Sequence, residues 1–370
     1  MHSGKKLVFS ALLCSAGVLG AGPVYAAAGA LDPTFGQRGQ VTISLSNENV
    51  IANDAVLQPD GKIVVAAVFM PTVATANQIA TEPFGVIRLL SNGSLDTNFG
   101  TGGNTQIAFT NFINTANSLA LQSDGKIVAV GEATSADGTL SEFAVARFNT
   151  DGTLDSSFGN GGKVTTNFVG QLGGVRNPAT AVVVNSASGE ILVGGSASEC
   201  ARCVTNTALA RYDTNGNLDP TFGSAGMVSV KAIGAPTALA LLSNGDFLAL
   251  AGEAIVEFGP SGSVHASVSS TTSGVTILAT SQGGSNVFQS NGDFIFASSV
   301  TGEAGRRDTD IQLVRFLQQG SLWTAHSTAR SSISAPTRPS PRARTRLRFS
   351  RPDRSLPEAV PANSEPEGSA

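Results

Sequence analysis

One pattern, Leu-Asp-x-x-Phe-Gly, occurs four times, at Leu31–Gly36, Leu95–Gly100, Leu154–Gly159 and Leu218–Gly223, with intervals of 64, 59 and 64 residues. A fixed period of this length marks a repeat architecture, in which each module leans on its neighbours to bury its apolar faces. About 27 residues after each Leu-Asp comes a second landmark. It reads Gln58-Pro59-Asp60-Gly61-Lys62-Ile63 and Gln122-Ser123-Asp124-Gly125-Lys126-Ile127, then drifts to Gly189-Glu190-Ile191, Gly245-Asp246-Phe247 and Gly292-Asp293-Phe294. Asp-Gly and Asn-Gly between apolar runs are hairpin signals, because glycine accepts the positive φ of the turn. A third landmark closes each unit: Arg88-Leu89, Arg147-Phe148, Arg211-Tyr212, Glu257-Phe258 and Arg315-Phe316.

One unit therefore reads as strand A after the Phe-Gly, B before the central turn, C after it, and D before the closing turn. Five units follow, near 31–94, 95–153, 154–217, 218–263 and 264–321, the last one degenerate. Only 14% of residues are charged, and abundant Gly, Thr, Ser, Val and Asn favour strands and tight turns. The expected fold is all-β: a β-propeller of about five four-stranded blades, truncated or incompletely closed, with Phe35, Phe99, Phe158 and Phe222 filling the seams. A β-solenoid is the alternative, although its coils are shorter than about 60 residues.

The Leu-Asp-x-x-Phe-Gly motif and its Gln-x-Asp-Gly-Lys-Ile partner at fixed spacing resemble the delta-60 repeat family of exported bacterial proteins, over about residues 31–316. The resemblance implies a propeller-like fold and export, and it brings no catalytic residue or cofactor. Units four and five depart from the pattern: Leu-Asp becomes Val264-His265, and the central lysine is missing after unit two.

Residues 1–26 have the order of a secretory signal peptide: Lys5 and Lys6, an apolar run from Leu7 to Leu19, and cleavage expected after Ala26. The run is short of the roughly 20 residues of a spanning helix, so the mature chain is expected to carry no integral membrane segment. Its expected location is extracellular, cell-surface or periplasmic. Residues 27–316 hold 4 Lys and 9 Arg against 23 Asp and Glu, a net of −10; such a body repels phosphate backbones, which argues against nucleic acid as a partner. Residues 317–370 hold 8 Arg, no Lys and 4 acids, with 7 prolines, and read as a disordered tail. After Ser321-Leu322 the motif demands Asp, then Phe three positions later, and the chain gives Trp323-Thr324-Ala325-His326-Ser327. A shifted reading frame permits Leu-Asp-x-x-Phe there, so the tail also reads as a frameshift product.

In three units the strand-D arginine precedes the motif aspartate by eight residues: Arg88 and Asp96, Arg147 and Asp155, Arg211 and Asp219. In the degenerate unit the two places hold Glu257 and His265, which keeps opposite charge available if the imidazole protonates. A carboxylate suits the forked donors of arginine, and the pair is expected to close the turn from one blade into the next. Asp32 lacks an upstream arginine and Arg315 a downstream aspartate, so closure of a five-blade ring would bring those two together.

Catalytic chemistry is sparse. His265 is the single histidine of the body, and no nucleophile elbow, Walker loop or dinucleotide fingerprint occurs. Neither metal nor cofactor is expected. Cys200 and Cys203 form a possible disulfide across a very short loop. Asp213 to Asp219 has the oxygens of a calcium loop, but the glycine is misplaced and the distal Glu absent, so turn chemistry is the simpler account. Glu132, Glu142, Glu199 and Glu303 lie outside the motifs and are candidates for a glycosidase or lyase. The C–D loops at 69–83, 131–142, 196–207 and 300–310 vary between units. Function resides in such loops on a rigid scaffold. The expectation is thus an exported, non-enzymatic scaffold that binds an extracellular protein or glycan. The alternatives are a carbohydrate-active propeller enzyme and a truncated product without function.

Overall fold

The computed structural model describes residues 7–10, 31–45, 48–71, 83–109, 113–135, 139–168, 176–198, 205–231, 234–242, 244–251, 254–269, 285–288, 294–301, 309–319 and 322–332. Every regular element among them is a strand. β1 (Leu7–Ser10) pairs with β2 (Gln40–Ile43). Five four-stranded antiparallel blades follow. The first holds β3 (Glu48–Leu57), β4 (Ile63–Pro71), β5 (Phe84–Leu89) and β6 (Asn104–Ile107). The second holds β7 (Asn114–Leu121), β8 (Ile127–Thr134), β9 (Ser141–Phe148) and β10 (Lys163–Thr166). β11 (Ala179–Val184), β12 (Ile191–Ala197), β13 (Asn206–Tyr212) and β14 (Met227–Val230) make the third. The fourth is β15 (Pro236–Leu241), β16 (Phe247–Ala251), β17 (Ala254–Phe258) and β18 (Val264–Ser269), and the fifth β19 (Ser285–Phe288), β20 (Phe294–Thr301), β21 (Thr309–Gln319) and β22 (Leu322–Ser332).

The all-β propeller expectation holds, with one correction: a sequence unit is not a blade. The strand after each Phe-Gly pairs with the D strand before it, so β6, β10 and β14 each complete the preceding blade. The motif is the excursion that makes this possible. Arg88 N donates to the Gly103 carbonyl at 3.0 Å, and the Arg88 carbonyl accepts from Asp96 N at 2.9 Å. Residues 96–103 thus leave the ladder and return to it opposite one residue. In the fourth blade the excursion shrinks to a single bulged residue, His265, between the pairs Phe258–Val264 and Glu257–Ala266. The fifth repeats this at His326, between Phe316–Ala325 and Arg315–Ser327.

The sheets do not close into a ring. β2, which closure would bring to β21, pairs with β1, while β21 pairs with β22. Asp32 and Arg315 therefore do not share a sheet, and Asp32 accepts instead from Thr34 N and Oγ1 at 2.9 and 2.7 Å. Chain entropy accounts for the preference: β22 begins only three residues after β21 ends, whereas closure would join ends far apart in sequence. β22 also lies inside the stretch expected to be an irregular tail.

β3, β7, β11 and β15 pack against one another in succession as the inner strands. Each carries a bulge, and in β3, β7 and β11 the bulged side chain reaches the next inner strand. Asn53 Nδ2 donates to the Ala116 carbonyl at 2.7 Å, Asn117 Nδ2 to Ala179 at 2.8 Å, and Thr180 Oγ1 to Pro236 at 2.5 Å. Asp54 adds a carboxylate that accepts from Leu119 N and Ser118 Oγ across the same seam. Burial raises the Asp54 pKa above the ordinary value, despite those bonds and one from Ala55 N. The apolar cores lie in the seams, where Phe99, Phe158 and Phe222 are buried with side chains of both flanking blades and Phe35 with β2 and the first blade. Burying such a ring stabilises by roughly 1.5–3 kcal/mol.

Candidate functional site

The chemistry-bearing repeat positions converge at the blade junctions, on the face that carries the B–C and closing turns. Arg147 shows the arrangement. Its Nε donates to Asp155 Oδ2 at 2.7 Å, Nη1 to the Thr214 carbonyl at 2.6 Å and Nη2 to Ser157 Oγ at 3.3 Å. Thr214 lies in the closing turn of the next blade, so one guanidinium ties a D strand, its motif and its neighbour together. Arg88 bonds Asp96 Oδ2 at 2.9 Å and the Thr150 carbonyl at 2.5 Å. Arg211 bonds Asp219 at 2.8 Å, the Pro260 carbonyl at 2.5 Å and Thr221 Oγ1 at 3.0 Å. Each guanidinium also lies over the motif ring, with Arg88, Arg147 and Arg211 at 4.3, 4.6 and 4.8 Å from the centroids of Phe99, Phe158 and Phe222.

The glycine after each phenylalanine adds a backbone bond to the same neighbour. Gly100 N donates to Asp151 O, Gly159 N to Asn215 O and Gly223 N to Ser261 O, at 2.7, 2.7 and 2.8 Å. Close approach then fixes the closing turn. Gly152 has φ +89°, and a Cβ there would stand 2.9 Å from the Phe99 ring. Only glycine meets both demands.

Electrostatics follow from burial and donors. Burial opposes ionisation of Asp155, but bonds from Ser157 and Lys126 and the charge of Arg147 outweigh it and hold the carboxyl well below the usual carboxylate range. Burial likewise opposes ionisation of Asp219, and bonds from Thr221 with the charge of Arg211 depress it. Lys126 is the member that motif spacing did not reveal. Its Nζ stands 3.2 Å from Asp155 Oδ2, making two cations on one carboxylate. At that position Lys62, Lys126, Glu190 and Asp246 succeed one another.

The structure does not bring Glu257 and His265 into an ion pair of their own. His265 Nδ1 lies 3.4 Å from Asp246 Oδ2, and Asp246 shares a hydrogen bond with Glu257. Burial first, and the Asp246 charge next, raise the Glu257 pKa against the opposing influence of His265.

Among the described residues, clefts open between blades on this face. The cleft between the second and third blades, of about 330 Å³, is lined by Gln122, Lys126, Arg147, Ser157, Asn185 and Asn215 among others. Its counterpart between the third and fourth, about 310 Å³, has Glu190 and Arg211 over Leu192, Leu241, Phe222 and Phe247.

Other expected sites fare differently. Cys200 and Cys203 lie outside the described residues, as do Glu199, Glu303 and the tips of the C–D loops. Glu132 faces Phe143 across the β8–β9 ladder and Glu142 faces Ala133, so the two glutamates stand on opposite faces of one sheet. Asp213 uses both oxygens within its turn, accepting from Asn215 N, Asn217 N and Asn217 Nδ2. Among the described residues, no cluster of three or more His, Cys, Asp or Glu could hold a metal, and no helix is long and apolar enough to cross a membrane.

A family described as a domain of unknown function (DUF5122) beta-propeller matches residues 58–99, 122–158 and 187–222. Each match runs from a central turn to the next motif phenylalanine, so it spans one clamp. No curated protein matches the chain. Similar solved structures include a protein of unknown function from Bacteroides caccae, at 14% identity and TM-score 0.43, with 78% of this chain and 85% of that one covered. An alpha-L-arabinanase from Penicillium chrysogenum, complexed with arabinobiose, has 10% identity, TM-score 0.40 and 74% and 79% coverage. An alpha-L-arabinofuranosidase from Fusarium graminearum has 10% identity, TM-score 0.42 and 75% and 80% coverage. The chain is thus similar to propeller-like repeat proteins, through the segments that build its junctions.

Proposed function

We propose that the protein is an exported, delta-60-like propeller scaffold that binds an extracellular protein or glycan through its variable C–D loops. The observation that supports this reading is where the repeated charges go. Arg88, Arg147 and Arg211, with Asp96, Asp155 and Asp219, are engaged in holding blade to blade. The recurring chemistry is structural, and the sequence freedom lies in loops on the opposite face. Replacing the loops at 72–82 and 199–204 with short turns is expected to preserve the melting transition and abolish binding to the glycan or surface protein found with the intact chain. Loss of folding would defeat the assignment. Cleavage after Ala26 would remove β1 and free the edge of β2, and the amino-terminal sequence of the secreted protein tests it.

The enzymatic reading has one supporting feature, the Asp246–Glu257 pair with its raised acid. Their carboxyls share a hydrogen bond, which is closer than the roughly 5–9.5 Å between the carboxylates of glycosidases. The scaffold reading therefore stands first. Turnover of an arabinan or another glycan, lost in Glu257→Gln, would reverse that order.

A further inference from the structure

The two clefts on the repeated-turn face are built from the same positions and differ in one decisive side chain. In the cleft between the second and third blades, Lys126 reaches Asp155 at 3.2 Å and Asp124 at 3.5 Å. Its charge is met by two carboxylates of its own chain. In the next cleft the equivalent residue is Glu190, which cannot bridge to Asp219. Glu190 accepts from Ser188 Oγ at 2.8 Å instead. The Arg211 side chain is 16% exposed where that of Arg147 is 5%. The floor changes with it: Leu192, Leu241 and Phe247 line this cleft. Arg211, in the same lining, is neutralised by Asp219.

An apolar slot with a carboxylate at its mouth suits a group that is aliphatic along its length and cationic at its end. We propose that the cleft between the third and fourth blades receives a lysine or arginine side chain from a protein partner. Its methylenes lie on Leu192, Leu241 and Phe247, and its charge meets Glu190. The partner's residue takes the place that Lys126 fills from within one junction earlier. A body of net charge −10 over residues 27–316 speeds the approach of such a basic segment. This surface lies opposite the C–D loops, so it stands or falls separately from binding there.

Fluorescence anisotropy with labelled hexalysine, hexaglutamate and a Gly-Ser hexapeptide tests it on the full chain. Hexalysine is expected to bind and the other two not to. Glu190→Lys, which restores the repeat's own lysine, is expected to weaken hexalysine at least about tenfold with an unchanged melting temperature. Asp60→Lys makes the same charge change on the exposed turn of the first blade and is expected to stay within about twofold. If Glu190→Lys does not fold, Glu190→Gln and Leu241→Asn serve, each with a loss of about fivefold. Equal losses in Glu190→Lys and Asp60→Lys would mean general attraction to an acidic surface and overturn the proposal. So would absent hexalysine binding, or equal binding of either control peptide.

Discussion

At the second junction, Lys126, Arg147 and Asp155 set two cations on one carboxylate; in the fourth blade, Asp246, Glu257 and His265 set two carboxylates beside one imidazole. Both cations give way to acids, and the aspartate gives way to an imidazole. The backbone changes too, from an eight-residue excursion to a single bulge at His265. An ionised carboxylate only accepts hydrogen bonds, so Glu257 cannot do what Arg147 does at the Thr214 carbonyl. Nor does the fourth blade's bulge carry a phenylalanine for a guanidinium to lie on. A shared ladder position thus fixes where a side chain stands, and its hydrogen count decides whether it couples two blades.

The largest test of this contrast is Arg147→Ala. It leaves Asp155 buried with one cation fewer, and an expected loss of about 3–5 kcal/mol follows from breaking a buried pair. Glu257→Ala is expected to cost under about 1 kcal/mol, or to stabilise. Denaturant unfolding of the two variants measures both, and equal losses would end the distinction.

Asp155→Asn comes next, at about 1.5–3 kcal/mol at neutral pH, the range for bonds to charged groups. The sign with pH is set by the depressed Asp155 and Asp219. The unfolded chain binds protons that the folded one refuses, so stability is lost as pH falls below the ordinary carboxylate value. Asp155→Asn should flatten that acid limb in melting curves.

Asn117→Ala removes one rung near the inner strands, with an expected cost of about 1 kcal/mol. A cost above that of Arg147→Ala would place blade coupling at the axis and make the outer clamps secondary.

Smallest is Glu257→Gln, worth a few tenths of a kcal/mol up to about 1 at neutral pH. Glu257 is raised, so the folded chain holds its proton longer, and this contribution falls as pH rises through the folded value. The substitution should remove that slope and leave the acid limb unchanged.

Much of this was legible in the residues. The eight-residue interval between arginine and aspartate is the size of the turn plus the return to the ladder, so the pair announced itself. Asp-Gly and Asn-Gly marked the hairpins because positive φ leaves few choices; Gly61, Gly125 and Gly245 adopt it. The pairing of β6, β10 and β14 with the preceding D strand was hidden, because the motif is visible in sequence and its return to the ladder is not. Asn53, Asn117 and Thr180 recur at intervals of 64 and 63, but polar residues in small-residue strands carry no signal of a bulge. The exchange of Lys126 for Glu190 and Asp246 was visible as drift in the central turn, and its meaning depended on knowing that Lys126 points at Asp155.

The offset between repeat and blade has a consequence for how such a chain is made and altered. During synthesis a blade stays one strand short until the following unit emerges, so each new module both finishes the last and begins the next. An in-frame gain or loss of one whole unit joins like to like, wherever the cut falls within the period. A terminus placed at the conspicuous motif boundary instead leaves one blade short of its outer strand and sends another strand to a different host, as β2 pairs here with β1.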